Sequence, residues 1–312
     1  MELFARKVNN YDLYATHSWY VPGIGGMFAM LGWFLVGALL AGLVMLILMA
    51  FLPQQVITDY GMVVMYPLQF LPAMIYVAHK SQRNSLFEPG YKLNNSHFGP
   101  FKGWIIALIT VALTFSFMVA SDLPNYANYK LTTSTPGMKS FYDSFLETMK
   151  QMTGGPFWSS FLVTAIFAPV FEEWMCRGVI LRGLLTKMKP VWAIVISALF
   201  FALIHGNPWQ ALNAFLIGVV MGYVYYKTGS LLLTMLIHFV NNGSAVIAAQ
   251  FTNVDETEYW IETMPMGTYI PLIIAGTAVL AACIWAFRRI PLQQQRGNID
   301  EIPVTEEIPV NE

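Results

Sequence analysis

Six polar residues could do chemistry in this chain. Glu172, Glu173 and Arg177 stand inside an otherwise apolar run from Phe157 to Leu185, His205 closes a second apolar run, and His238 and Asn242 lie in a third. Each charge placed within a hydrocarbon-spanning segment costs at least ~2.5–3.5 kcal/mol, and ionisable residues kept there face a polar interior and serve a function. Spacing sorts them further. Glu173 and Arg177 are four apart, so on a helix the guanidinium lies over Glu173 one turn away. Glu172 is rotated from Glu173 by roughly 100°. The arginine can therefore hold Glu173 while Glu172 points elsewhere. A carboxylate kept from a cation in a low-dielectric setting is a usable general base near neutral pH. His238 and Asn242, also four apart, share one helix face.

This set supports hydrolysis. Glu172 takes a proton from water while His205 orients or shares it. His238 and Asn242 donate hydrogen bonds to the oxyanion that forms when an amide carbonyl is attacked. Glu172, His205, His238 and Asn242 are thus the candidate catalytic residues, with Glu173 and Arg177 in support. Cys176 reads as a small buried hydrophobe rather than a nucleophile. A zinc peptidase using His205, His238 and a glutamate as ligands is the competing enzyme reading, but no His-Glu-x-x-His stretch accompanies it. The favoured reading takes no metal and no other cofactor.

Apolar helices must position these groups. Of 312 residues, 56% are hydrophobic and only 11% charged, and the mean hydropathy is +0.53. A soluble domain carries roughly 25% charged residues. The fold class is therefore an all-α, polytopic membrane bundle of about eight transmembrane helices. The candidate spans are 27–52, 60–79, 104–120, 157–185, 191–205, 210–226, 231–250 and 270–287. Glu172 and His205 lie equally far from the turn near Pro190, so adjacent antiparallel helices put them at one depth. The net charge is −1 and no basic patch suggests nucleic acid; Cys176 and Cys283, both in apolar runs, do not suggest a disulfide framework.

Basic residues orient the bundle. With the N-terminus cytoplasmic, Arg6, Lys7, Lys80, Arg83, Lys92, Lys102, Arg182, Lys187, Lys189, Lys227, Arg288, Arg289 and Arg296 all fall inside, as the positive-inside bias requires. Both termini are then cytoplasmic. The chain divides into an interfacial tail at 1–26, helices and loops at 27–156, a catalytic core at 157–250, a last loop and helix at 251–290, and an acidic disordered tail at 291–312.

Glu172-Glu173-x-x-x-Arg177, Phe201-x-x-x-His205 and His238-x-x-x-Asn242 together resemble the three motifs of the CPBP intramembrane protease family, which includes the type II CAAX prenyl endopeptidases. Arg177-Gly178 and Lys227-Thr228-Gly229-Ser230-Leu231 resemble further signatures of that family. Cys176 departs from the pattern, since an aromatic residue commonly precedes the motif arginine. The resemblance covers 161–249 and implies glutamate-type proteolysis inside the membrane: Glu172 activates water with His205, and His238 with Asn242 forms the oxyanion hole. It also implies a membrane-embedded or lipid-anchored protein or peptide as substrate, and a bacterial plasma (inner) membrane as the location. Two other function classes compete. One is a non-proteolytic membrane scaffold or immunity protein. The other is a proton-coupled transporter.

Overall fold

The computed structural model describes residues 20, 22–81, 97–251 and 259–292, and all their side chains except 148–154. In hydrocarbon every backbone donor and acceptor must be satisfied within the segment, which leaves helices as the economical solution for apolar runs of this length. The described residues accordingly form helices and no strand. In chain order they are α1 (Ile24–Phe51), α2 (Gln54–Lys80), α3 (Gly103–Thr133), α4 (Met138–Gly154), α5 (157–187), α6 (Pro190–Ile204), α7 (Pro208–Thr228), α8 (Leu231–Phe251), α9 (Trp260–Thr263) and α10 (Met266–Arg288).

All eight apolar runs are helical. Five of the helices, α1, α2, α3, α8 and α10, are long and apolar enough to cross a membrane, and α6 is a shorter apolar helix. Length and composition therefore support a helical membrane bundle, and among the described residues they single out five helices, which leaves the count of eight spans an expectation. The N-terminal tail and the acidic C-terminal tail lie outside the described residues, apart from Tyr20, residues 22–26, Pro291 and Leu292.

Two elements differ from the sequence expectation. α3 continues past 120 to Thr133. Asp122, Asn125 and Asn128 end its apolar run, but they are compatible with helix and find partners: Asp122 accepts from Tyr269 Oη at 3.0 Å, and Asn125 Nδ2 donates to Asn213 at 3.0 Å. α4 was not anticipated because Met138–Gly154 mixes polar and apolar residues with no long apolar run.

α1 and α2 form a hairpin around Leu52-Pro53. α1 buries Met27, Met30, Phe34, Gly37 and Ala41, a stripe at three- and four-residue spacing, and exposes Leu39 and Leu46 on the opposite side. In water that exposure would be costly; facing lipid it is the expected outer surface. α6 and α7 approach closely because Gly218 and Gly222 lie against Ala198 and Ile194. A Cβ at Gly218 would sit 3.1 Å from Ala198 Cβ. This small-residue contact is how apolar helices gain packing where lipid offers no hydrophobic drive.

α5 is continuous but not uniform. Short α-helical pieces at Phe157–Ser160, Ala168–Glu173 and Arg182–Lys187 alternate with π-helical pieces at Phe161–Phe167 and Trp174–Leu181. π turns are rare in helices and concentrate at functional sites. Here the two π segments flank Glu172 and Glu173.

Candidate functional site

The acidic turn of α5 faces α8. Glu173 is wholly buried, and its Oε1 accepts two hydrogen bonds: from Arg177 Nη1 at 2.7 Å and from His238 Nδ1 at 3.2 Å. A carboxylate can only accept, so His238 Nδ1 carries the hydrogen of that contact. Arg177, also wholly buried, donates its second terminal nitrogen to the carbonyl of Gly218 at 3.1 Å. The close α6–α7 approach at Gly218 keeps that carbonyl within reach. The guanidinium lies 4.5 Å from the centre of the Phe201 ring, a cation–π contact that gains strength away from water. Glu173 and Arg177 are thus an ion pair tied to α7, α8 and the α6 aromatic.

Glu172 shares only His238 with its neighbour. It is partly buried and, among the described residues, pairs with no arginine or lysine. Its Oε1 accepts from the hydroxyl of Tyr66 on α2. Its Oε2 is buried, has no hydrogen-bond donor, and lies 4.0 Å from His238 Nε2. The straight-helix argument turned Glu172 away from Glu173. The structure instead brings both carboxylates to one imidazole, with Nδ1 toward Glu173 and Nε2 toward Glu172. Glu172 and Glu173 both lie in the α-helical piece Ala168–Glu173 and keep the rotation of adjacent helical residues; the imidazole spans the angle between them by presenting a different nitrogen to each.

His205 caps α6, and Gly206 follows it at φ +67°, a left-handed residue that lets the chain reverse at once. His205 Nδ1 bonds the carbonyl of Phe201 at 2.7 Å. A carbonyl only accepts, so Nδ1 donates and Nε2 of the neutral ring is left as acceptor. The ring also stands edge-on to Phe201 at 4.8 Å, and His238 stands edge-on to the same ring at 5.6 Å. Phe201 is therefore shared by Arg177, His205 and His238. The described residues show no direct hydrogen bond between His205 and Glu172.

Asn242 Nδ2 donates to the carbonyl of Thr164 at 3.0 Å, and its Oδ1 accepts from Asn241 Nδ2 at 3.1 Å. Thr164 lies in the first π segment of α5. In this arrangement Asn242 fixes α8 to that segment and keeps a second amide hydrogen available.

Among the described residues, no three His, Cys, Asp or Glu side chains are grouped so as to hold a metal ion.

Residues 154–244 match the family model described as Type II CAAX prenyl endopeptidase Rce1-like. The matched stretch contains Glu172, Glu173, Arg177, His205, His238 and Asn242, and it ends before α10 and begins after α3. No curated protein matches the chain, and no solved structure does. The match covers the stretch on which the three-motif resemblance rests. With the apolar helices it supports an integral membrane protein that is similar, over that stretch, to CAAX-type proteases.

Three contributors carried no signal as site residues: Tyr66, Thr164 and the ring of Phe201. Phe201 was visible only as the first letter of a motif. Tyr66 is one tyrosine among 15 and sits in an apolar helix. Thr164 takes part through its backbone, to which side-chain type is blind.

Proposed function

We propose that this protein is an intramembrane endopeptidase that hydrolyses a peptide bond of a membrane-associated or lipid-anchored protein or peptide. The observation that carries the reading is the asymmetric carboxylate pair. Both carboxylates keep a buried Oε2 without a donor, but Glu173 is neutralised by Arg177, whereas Glu172 pairs with no arginine or lysine and its Oε2 lies 4.0 Å from His238 Nε2. The family match supports the same class of chemistry.

The residues act as follows. Glu172 Oε2 accepts a proton from water, whose oxygen bonds the scissile carbonyl carbon as the carbonyl electron pair moves to oxygen. With Nδ1–H held by Glu173, His238 donates through Nε2 when the ring carries both protons; in that form the oxyanion takes hydrogen bonds from His238 Nε2 and from the second amide hydrogen of Asn242. Glu172 then returns the proton to the leaving amine as the C–N bond breaks. His205, with its Nε2 acceptor, orients water. Glu173 and Arg177 hold His238 in place through the Nδ1 contact.

The test compares membranes from cells carrying wild type or Glu172→Gln and maps newly formed peptide termini. Termini found only with wild type support the reading and identify the substrate. Identical termini at equal expression contradict it and favour the scaffold or the transporter.

A further inference from the structure

Tyr66 lies on α2, outside the matched stretch 154–244. Its side chain is 8% exposed, and its hydroxyl donates to Oε1 of Glu172. One turn along the same face, Phe70 stacks on Phe171 at 5.4 Å and 18°. The rings of Tyr66 and Phe70 are themselves 5.6 Å apart. Two adjacent residues of the acidic turn, Phe171 and Glu172, are therefore gripped by two residues one turn apart on α2. The grip falls where α2 contains Pro67 and Pro72, which lack the N–H of the helical ladder.

The chemistry of the grip is selective. A phenol is a neutral donor, so it fixes a carboxylate without pairing off its charge. A cation at this position would tie Glu172 down as Arg177 ties Glu173. The two oxygens of Glu172 become unlike. Oε1 is held by the phenol, and Oε2 is left for proton transfer.

We propose that Tyr66 is the positioning residue of Glu172, and that the α1–α2 hairpin thereby completes a site that 154–244 holds only in part. The catalytic consequence rests on the endopeptidase reading; the contact itself does not. Tyr66 keeps its proton throughout. Its hydroxyl sets the plane of the carboxylate so that Oε2 meets the water proton.

Two measurements on the full-length protein test this. In the first, the infrared difference between wild type and Glu172→Gln isolates the Glu172 carboxyl band. Tyr66→Phe is expected to shift that band, and an unmoved band overturns the contact. In the second, cleavage of the substrate found by terminus mapping is followed in Tyr66→Phe and in proteins carrying fluorinated tyrosines at position 66. Loss of a hydrogen bond to a charged group corresponds to about a tenfold to hundredfold fall in kcat, with KM little changed. The fluorinated rings keep their shape while their hydroxyls become more acidic, so kcat is expected to change in step with acidity. A wild-type kcat in Tyr66→Phe, or a flat fluorotyrosine series, overturns the inference and leaves the endopeptidase reading standing. A wild type that cleaves no more than Glu172→Gln overturns that reading, and the infrared band still decides the contact. If Tyr66→Phe fails to fold, the fluorinated proteins decide.

Discussion

α1 and α5 are of similar length and sit in the same bundle, yet they use their backbones differently. α1 runs 28 residues as one regular helix without a charged side chain. α5 changes between α and π geometry four times and buries Glu173, Arg177 and Arg182. The difference shows what a helix needs before it can depart from regularity in lipid. A regular helix satisfies its own backbone. A π segment leaves carbonyls to be satisfied from outside, and in α5 neighbouring helices do this. Asn242 on α8 donates to Thr164 in the first π segment, and Ser197 on α6 donates to the carbonyl of Cys176 in the second at 2.9 Å. Among the described residues, π geometry is confined to the helix that receives these donors, and the candidate site lies on the same helix.

That contrast can be broken most severely at the ion pair. Arg177→Leu leaves Glu173 buried without its cation, and removing one partner of a buried pair costs about 3–5 kcal/mol. We expect the variant to lose its folded fraction in detergent, measured by thermal unfolding with size-exclusion detection. A wild-type melting profile would mean that the pair is not what holds α5 to α7.

Glycine substitutions sharpen the same contrast. Gly218→Ala puts a Cβ within 3.1 Å of Ala198 and 3.4 Å of Arg177 Nη2, and overpacking costs about 1–3 kcal/mol. Gly42 on α1 has nothing within 4 Å of its would-be Cβ. Gly42→Ala is expected to be neutral or to stabilise the helix by up to ~1 kcal/mol. Equal effects in thermal unfolding at the two positions would remove the distinction between a lipid-facing and an interior helix. Ser197→Ala removes the side-chain donor to the Cys176 carbonyl, with an expected cost of about 1 kcal/mol. Faster hydrogen exchange across Trp174–Leu181 would report it, and unchanged exchange would show that the serine is not needed for the π segment.

The smallest effect is expected far from α5. Lys130 Nζ lies 2.8 Å from Glu262 in an exposed pair. The hydrogen bond from Lys130 holds the Glu262 carboxyl below the usual carboxylate range. A lowered folded-state value stabilises at neutral pH and stops doing so as pH falls through that value. Solvent and salt screen an exposed pair. We expect Glu262→Gln to leave the unfolding temperature at pH 7 unchanged and to remove only a slight acid-side dependence seen at low salt. A large shift at pH 7 would assign this end of the bundle a structural role that its exposure argues against.

The helices and the polar residues were legible because apolar runs and isolated charges are visible in one dimension. Glu173 and Arg177 pair as their four-residue spacing required, even though a π segment begins at Trp174. The position of Glu172 relative to His238 was not legible. It depends on how α8 packs against α5, which decides where the two imidazole nitrogens fall and is not carried by spacing within either helix. Tyr66 was hidden for another reason. It reaches Glu172 across 106 positions of chain, and an aromatic residue in an apolar helix looks like packing until its hydroxyl is seen to have a partner. α4 was missed because its amphipathic pattern contains no run long enough to read as a span.

The most direct test of the central claim sets Glu172→Gln beside Glu173→Gln and measures both substrate cleavage and thermal unfolding. Glutamine at 172 can still accept from Tyr66 but cannot act as a base. That variant is expected to unfold as wild type does and to lose activity by about 10²–10⁴-fold. Glutamine at 173 removes the charge that Arg177 needs, so that variant is expected to unfold at a distinctly lower temperature. A Glu172→Gln protein that still cleaves, or a Glu173→Gln protein as stable as wild type, would contradict the division of roles between the two carboxylates.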